Sequence, residues 1–111
     1  MSAAVQSVSV DQAGGATAEL IPAIAGYLIE VLGFCLSVGG AAVGVKSTLQ
    51  DTTANTVRTT LVGNATTPVV YTYNGGPRAP AFRTAKSEGL ELVTGAASAV
   101  AGFIVFRRIP G

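Results

Sequence analysis

Between Leu20 and Val45 a single residue, Glu30, carries charge, and this run limits what the chain can fold into. It is long enough for a transmembrane helix. A second apolar run, Leu92 to Phe106, ends at Arg107 and Arg108, as a membrane stop with flanking positive charge does. Together the runs admit either a small two-span membrane protein or buried strands broken by turns. The internal order of the first run favours strands. Leu28, Glu30, Leu32, Phe34 and Leu36 alternate with Tyr27, Ile29, Val31, Gly33 and Cys35, and Ser37-Val38-Gly39-Gly40 has the composition of a turn. Glu30 is costly at bilayer depth, whereas a strand end or an interface leaves it wet or paired. The second run is short for a span and contains Gly95 and Gly102. The expectation is a β protein outside the membrane.

The rest of the chain fits that expectation. Residues 1–18 are small and polar and predict an N-terminal arm or a short first strand; residues 19–111 predict a single β-sandwich domain. A short edge strand or loop at Glu19 to Ile24 contains Pro22, which argues against a central position. Further extended segments are predicted from Tyr27 to Val38, Ala42 to Leu49, Thr56 to Val62, Val69 to Tyr73, Ala81 to Thr84, Leu90 to Thr94 and Val100 to Ile109. The threonine-rich middle suits half-wet sheet faces because threonine is β-branched. Turns are expected at Asp51 to Asn55, Gly63 to Thr66, Asn74 to Pro77, Ala85 to Gly89 and Gly95 to Ser98. Seven or eight short antiparallel strands with no sustained helical period predict an all-β, jelly-roll-like or Greek-key sandwich.

Composition then narrows the chemistry. The 111 residues include no histidine, which removes Ser-His-Asp relays, Cys-His nucleophiles and imidazole zinc sites. The one cysteine, Cys35, cannot form an internal disulfide and is expected as a small buried hydrophobe. Seven basic against six acidic residues is too even a balance for a nucleic-acid binder. No GxGxxG or GxxxxGK phosphate loop is present. Asp51 to Asn55 lacks the carboxylates of a calcium loop and fits a turn with Asx hydrogen bonds. Glu88 and Glu91 fall on opposite faces of an extended segment, unlike a glycosidase pair, and Glu88 is placed in a turn that presents Leu90 and Leu92 for burial. The sequon Asn64-Ala65-Thr66 stands without a secretion signal at the N-terminus. The expectation is a non-enzymatic protein with no cofactor, no metal, no nucleic acid and no membrane among its partners.

From Ile21 to Ile109 the chain resembles small structural proteins of tailed bacteriophages. The likeness lies in the alternating strand IEVLGFCLSVGG, the threonine-rich middle, the block Phe82 to Leu92 and the small-residue strand Ala99 to Arg107. Its most specific part is Thr-Ala-x-x-Glu-Gly-Leu-x-Leu, Thr84 to Leu92. The chain departs from the pattern in its alanine-rich leader and in having Phe82 as the only aromatic of the block. The resemblance implies a jelly-roll-like sandwich acting as a capsid decoration or cement protein on the virion surface. Its partners would be the major capsid protein and further copies of the chain, with a trimer preferred by analogy.

The residues expected at such contacts are Tyr71, Tyr73, Arg78, Phe82, Arg83, Phe103, Phe106, Arg107 and Arg108. From Ala99 to Phe106 both alternating sets are apolar, so one should face the core and the other a neighbour. The arginines suit ion pairs with a partner's carboxylates. Tyr71 and Tyr73 share one strand face, which fits a core or trimer seam. With Tyr27 and Phe82 they also suggest an alternative, a receptor- or carbohydrate-binding module of a fibre or spike.

Overall fold

The computed structural model describes residues 4–40, 46–63, 67–96 and 98–111. The expected turn at residues 63–66 and the start of the expected strand at Ala42 fall largely outside them. Nine strands follow one another: β1 (Gln6–Gln12), β2 (Thr17–Ile21), β3 (Tyr27–Gly40), β4 (Lys46–Asp51), β5 (Val57–Val62), β6 (Val69–Asn74), β7 (Phe82–Arg83), β8 (Leu90–Val93) and β9 (Ser98–Pro110). The first sheet has the order β1-β9-β3-β6, with β7 also on β3; the second has β2-β8-β4-β5. All pairings are antiparallel. Setting the two-residue β7 aside, the partners β1/β9, β2/β8, β3/β6 and β4/β5 are those of one long hairpin rolled into two layers, which is a jelly roll. The fold class is as the sequence implies, with nine strands among the described residues where seven or eight were expected. No helix among the described residues is long and apolar enough to cross a membrane.

The core lies between the layers. Leu36 and Val38 of β3, Val100 and Ile104 of β9, Leu49, Leu61, Leu90 and Leu92 are all fully buried. Burial of a side chain of this size stabilises by about 1.5–3 kcal/mol. Short runs of alternating leucine, isoleucine and valine therefore supply most of the core, with Phe106 as its one fully enclosed aromatic among the described residues.

Two expectations are corrected. Ser37 to Gly40 is not a turn: β3 runs on to Gly40 and pairs with β9 as far as Gly40↔Ser98. Glycines are tolerated here because the ladder opposite supplies the order that their missing side chains do not. Nor does β3 keep one phase. A bulge between Val31 and Gly33 inserts Leu32, so Ile29 and Val31 point into the core before it and Leu36 and Val38 after it. Cys35 consequently faces outward and is half-buried, not enclosed in the core.

The Thr84 to Leu92 block also acquires physical reasons. Ile29 N–H donates to Thr84 Oγ1 (3.0 Å). Glu88 Oε1 accepts from Thr53 N–H (3.0 Å) and Ala54 N–H (2.6 Å), so the acid organises the β4–β5 turn rather than only its own. Gly89 is required because a Cβ there would lie 2.5 Å from the Ile21 carbonyl oxygen. Leu90 and Leu92 then enter the core.

Candidate functional site

The registers of the first sheet fix which side chains share its outer face. Across β1, β9, β3 and β6 one row is Asp11, Ala101, Ser37 and Val70; the next is Ser9, Phe103, Cys35 and Thr72; the next is Ser7, Val105, Gly33 and Asn74. Beyond them Arg107 of β9 stands beside Glu30 of β3 and Arg83 of β7. Three rows of four thus hold a single charge, Asp11. Phe103 is 47% exposed and Val70 59% exposed.

A depression of about 260 Å³ opens on this face, lined by Gly33, Cys35, Thr72, Asn74, Phe103 and Val105 together with Phe34 and Tyr73. Its floor is the missing side chain of Gly33, whose place is dictated by backbone: a Cβ would come within 2.9 Å of the Tyr73 carbonyl oxygen. The volume is below that of ordinary small-molecule pockets and above that of a cavity that takes one benzene. It has the capacity for one large side chain.

The charged end of the face is internally neutralised in part. Glu30, 2% exposed, takes Arg107 at 2.6 Å on one carboxylate oxygen and Arg83 at 2.8 Å on the other. The bulge is what places Glu30 there, on the same face as Arg107. Sequence reading singled out Glu30 as the one charge in its run but found no partner for it, because both arginines are more than fifty residues away.

The other expected contact residues are distributed as follows. Phe106 is buried in the core, so of the two phenylalanines Phe103 is the outward one. Tyr71 packs on the core; its hydroxyl accepts from Val62 N–H and donates to the Val62 carbonyl, both at 3.0 Å. Tyr73 donates to the Ala79 carbonyl, and its ring stacks on Phe34 at 6.2 Å. Both tyrosines thus spend their hydroxyls within the chain, which makes a poor sugar platform. Phe82 is half-buried against the core. Arg78 is exposed in the turn after β6. Arg108 donates to the Pro22 carbonyl (3.0 Å) and lies 5.6 Å over the Phe106 ring. Arg83 and Arg107 find their carboxylate in Glu30 of the same chain, so the expected ion pairs with a partner have an internal competitor.

A second polar cluster, at the end where β4 and β5 meet, was missed in the sequence. Asp51, fully buried, receives Arg58 Nε (2.9 Å) and Nη2 (2.7 Å) and the Ala85 N–H (3.0 Å). Burial by itself raises this carboxyl's pKa, but the Arg58 hydrogen bonds, the Ala85 N–H and the Arg58 charge outweigh it and hold the group below its ordinary value. The same pairing raises the Arg58 pKa. The expected turn is present, with Asn55 N–H donating to the Asp51 carbonyl (3.1 Å), but the Asp51 side chain, instead of an Asx bond, ties β4 to the segment after β7. Both carboxylate oxygens of Asp51 are taken from within the chain, which makes the cluster a structural tie.

No protein-family model and no curated protein matches the sequence. Among solved structures the fold is similar to a chain from "Bacillus endospore appendages", described as a family of disulfide-linked pili. The similarity spans 96% of this chain and 87% of that one, with a TM-score of 0.52 and 14% sequence identity. At that identity the likeness concerns the fold.

Proposed function

We propose that this chain is a non-enzymatic structural subunit of a virion, a decoration or cement protein that self-associates and attaches to the major capsid protein at the head surface. The observation that carries the reading is the outer face of the first sheet. It presents Phe103, Val105, Val70 and a row of small residues around one lone charge, while the leucine core is already complete without it. Such a face is a contact surface in search of a neighbour. The resemblance of the Thr84 to Leu92 block to phage structural proteins is what favours a virion as the location. Co-sedimentation with shells assembled from the major capsid protein tests it: saturable binding is expected, and a chain left wholly in the supernatant removes the capsid reading.

A second reading, a subunit of an extracellular appendage, is favoured by one observation, the fold shared with the endospore pilus chain along almost its whole length. Electron microscopy of the concentrated protein separates the two. Closed small oligomers favour decoration, and fibres that lengthen with concentration favour an appendage.

A further inference from the structure

The outer face of the first sheet is complementary to itself, and we infer that a second copy of this chain covers it, in a two-fold, face-to-face dimer. The inference rests on the structural-subunit reading above and names the partner of that face. The large side chains lie on β9 and the small ones on β3: Phe103 pairs in register with Cys35, Val105 with Gly33 and Arg107 with Glu30. A two-fold axis lying in the interface, along the strands and midway between β3 and β9, places β9 of one copy over β3 of the other. Each register pair then becomes a contact between copies. Phe103 comes over the partner's Cys35 and the depression floored by Gly33, whose 260 Å³ accepts a phenyl ring. The Arg107–Glu30 pair meets its own inverted copy, but with Arg83 also on Glu30 that end keeps a net positive charge, so Phe103 and the depression carry the contact. Such a pairing is isologous and closes at two, whereas a trimer needs two different patches.

The size of the face sets the strength. The β3–β9 pair runs through most of the 46 Å length of the molecule. With flanking β1 and β6 at about 4.8 Å per strand it offers on the order of 600 Å² per copy, against about 800 Å² per partner in a standard interface. The dimer is therefore in reversible exchange with monomer, and dilution reads it out.

Light scattering and sedimentation across a wide concentration range test the proposal, with Phe103→Lys and Cys35→Asp prepared as separate variants. Wild type is expected at twice the chain mass, dissociating on dilution. Each variant alone should dimerise at least tenfold more weakly. An equimolar mixture should recover to within about threefold of wild type, because in the mixed dimer one face-to-face position holds Lys over Asp and the other keeps Phe over Cys. Recovery in trans requires this register and is not produced by a merely sticky surface. Circular dichroism confirms that the variants are folded; if Phe103→Lys is not, Phe103→Ser replaces it for the weakening measurement and the register pair Ala101→Lys mixed with Ser37→Asp for the recovery. A monomeric or trimeric wild type, or a mixture no stronger than its components, overturns the dimer. A monomer that still sediments with capsid shells, and loses that binding in Phe103→Lys, assigns the face to the capsid protein and leaves the decoration reading standing. A dimer that ignores shells does the reverse.

Discussion

The two sheets of this jelly roll share a core but turn opposite kinds of surface outward. The outer face of the second sheet carries Thr17, Val93, Thr48 and Thr60 in one row and Glu19, Glu91, Gln50 and Val57 in the next. Its polar groups bond to each other: Thr48 Oγ1 donates to Gln50 Oε1 (3.0 Å), and Gln50 Nε2 donates to Glu91 Oε1 (3.2 Å) and Asn55 Oδ1 (3.1 Å). Among the described residues the outer face of the first sheet has no such ladder; its rows are phenylalanine, valine, alanine, glycine, one cysteine and three serines, with Thr72, Asn74 and Asp11 along the edges. Both faces are built on the same strand spacing and the same core. What differs is whether the outward set can satisfy water by itself, and only the second sheet's can.

Substitution at Phe106 and Phe103 breaks the comparison most directly. Phe106→Asp puts a charge into the core and should abolish folding, since even loss of the ring to alanine costs about 3–5 kcal/mol. Phe103→Asp, on the outer face, should change stability by less than about 1 kcal/mol while weakening association. Urea unfolding with light scattering checks both; comparable destabilisation by the two would mean that the first sheet's outer face is already closed within the chain.

The next effect concerns the end that ties the layers together. Asp51→Asn should cost about 2–3 kcal/mol at neutral pH, somewhat below the range for fully buried pairs because Arg58 keeps 27% of its side chain exposed. The sign of the pH dependence follows from a carboxyl whose folded pKa lies below its unfolded one. Its stabilisation is present above the unfolded value near 3.8 and is lost as pH falls through the lower folded value. Urea midpoints measured between pH 7 and pH 2 should therefore converge for wild type and variant at the acid end. A gap that persists there would show that the tie does not depend on charge.

Two smaller effects sharpen the contrast. Tyr71→Phe removes the hydroxyl that bridges to Val62 at the margin between the faces and should cost about 0.5–1.5 kcal/mol by thermal melting. Glu19→Lys relieves a like-charge pair, since Glu19 stands directly opposite Glu91 on the polar face, and should gain about 0.2–1 kcal/mol. No gain in melting temperature at low salt would mean that the polar ladder already neutralises Glu91.

Much of the architecture was legible because strands announce themselves locally. Period two, threonine content and the Asn74-Gly75-Gly76-Pro77 break are all short-range signals, and they marked where chain segments extend and turn. The two apolar sets of Ala99 to Phe106 correctly separated Phe103 from Phe106 as opposite faces without saying which lay inside. What local pattern could not carry is phase across an irregularity. The inserted Leu32 reverses the sense of alternation, and nothing in YLIEVLGFCL marks it except Gly33 and the cost of burying Glu30 unpaired. Partners distant in sequence were equally hidden. Glu88 binds a turn more than thirty residues earlier, and Asp51 is held from Ala85, so their roles depend on a topology that no window of sequence contains. The Ser37 to Gly40 misreading has the same origin: glycine weakens a strand locally, and a long ladder to β9 overrules it.

The bulge in β3 has a consequence for how sequences of this fold can drift. A strand without it has one alternation to conserve; this strand has two, joined out of step at Leu32. Upstream of the joint, odd-numbered positions answer to the core, and downstream the even-numbered ones do. Changes on either side can accumulate independently, but pairing straight through, with Leu32 opposite Val105, would turn one half inside out at once. A strand that kept Leu32 without the bulge would have to bury its acid or bring Cys35 inside in place of Leu36. The two halves of β3 therefore form separate units of variation, and the joint between them is the place where losing one residue, Leu32, leaves the others on their own faces.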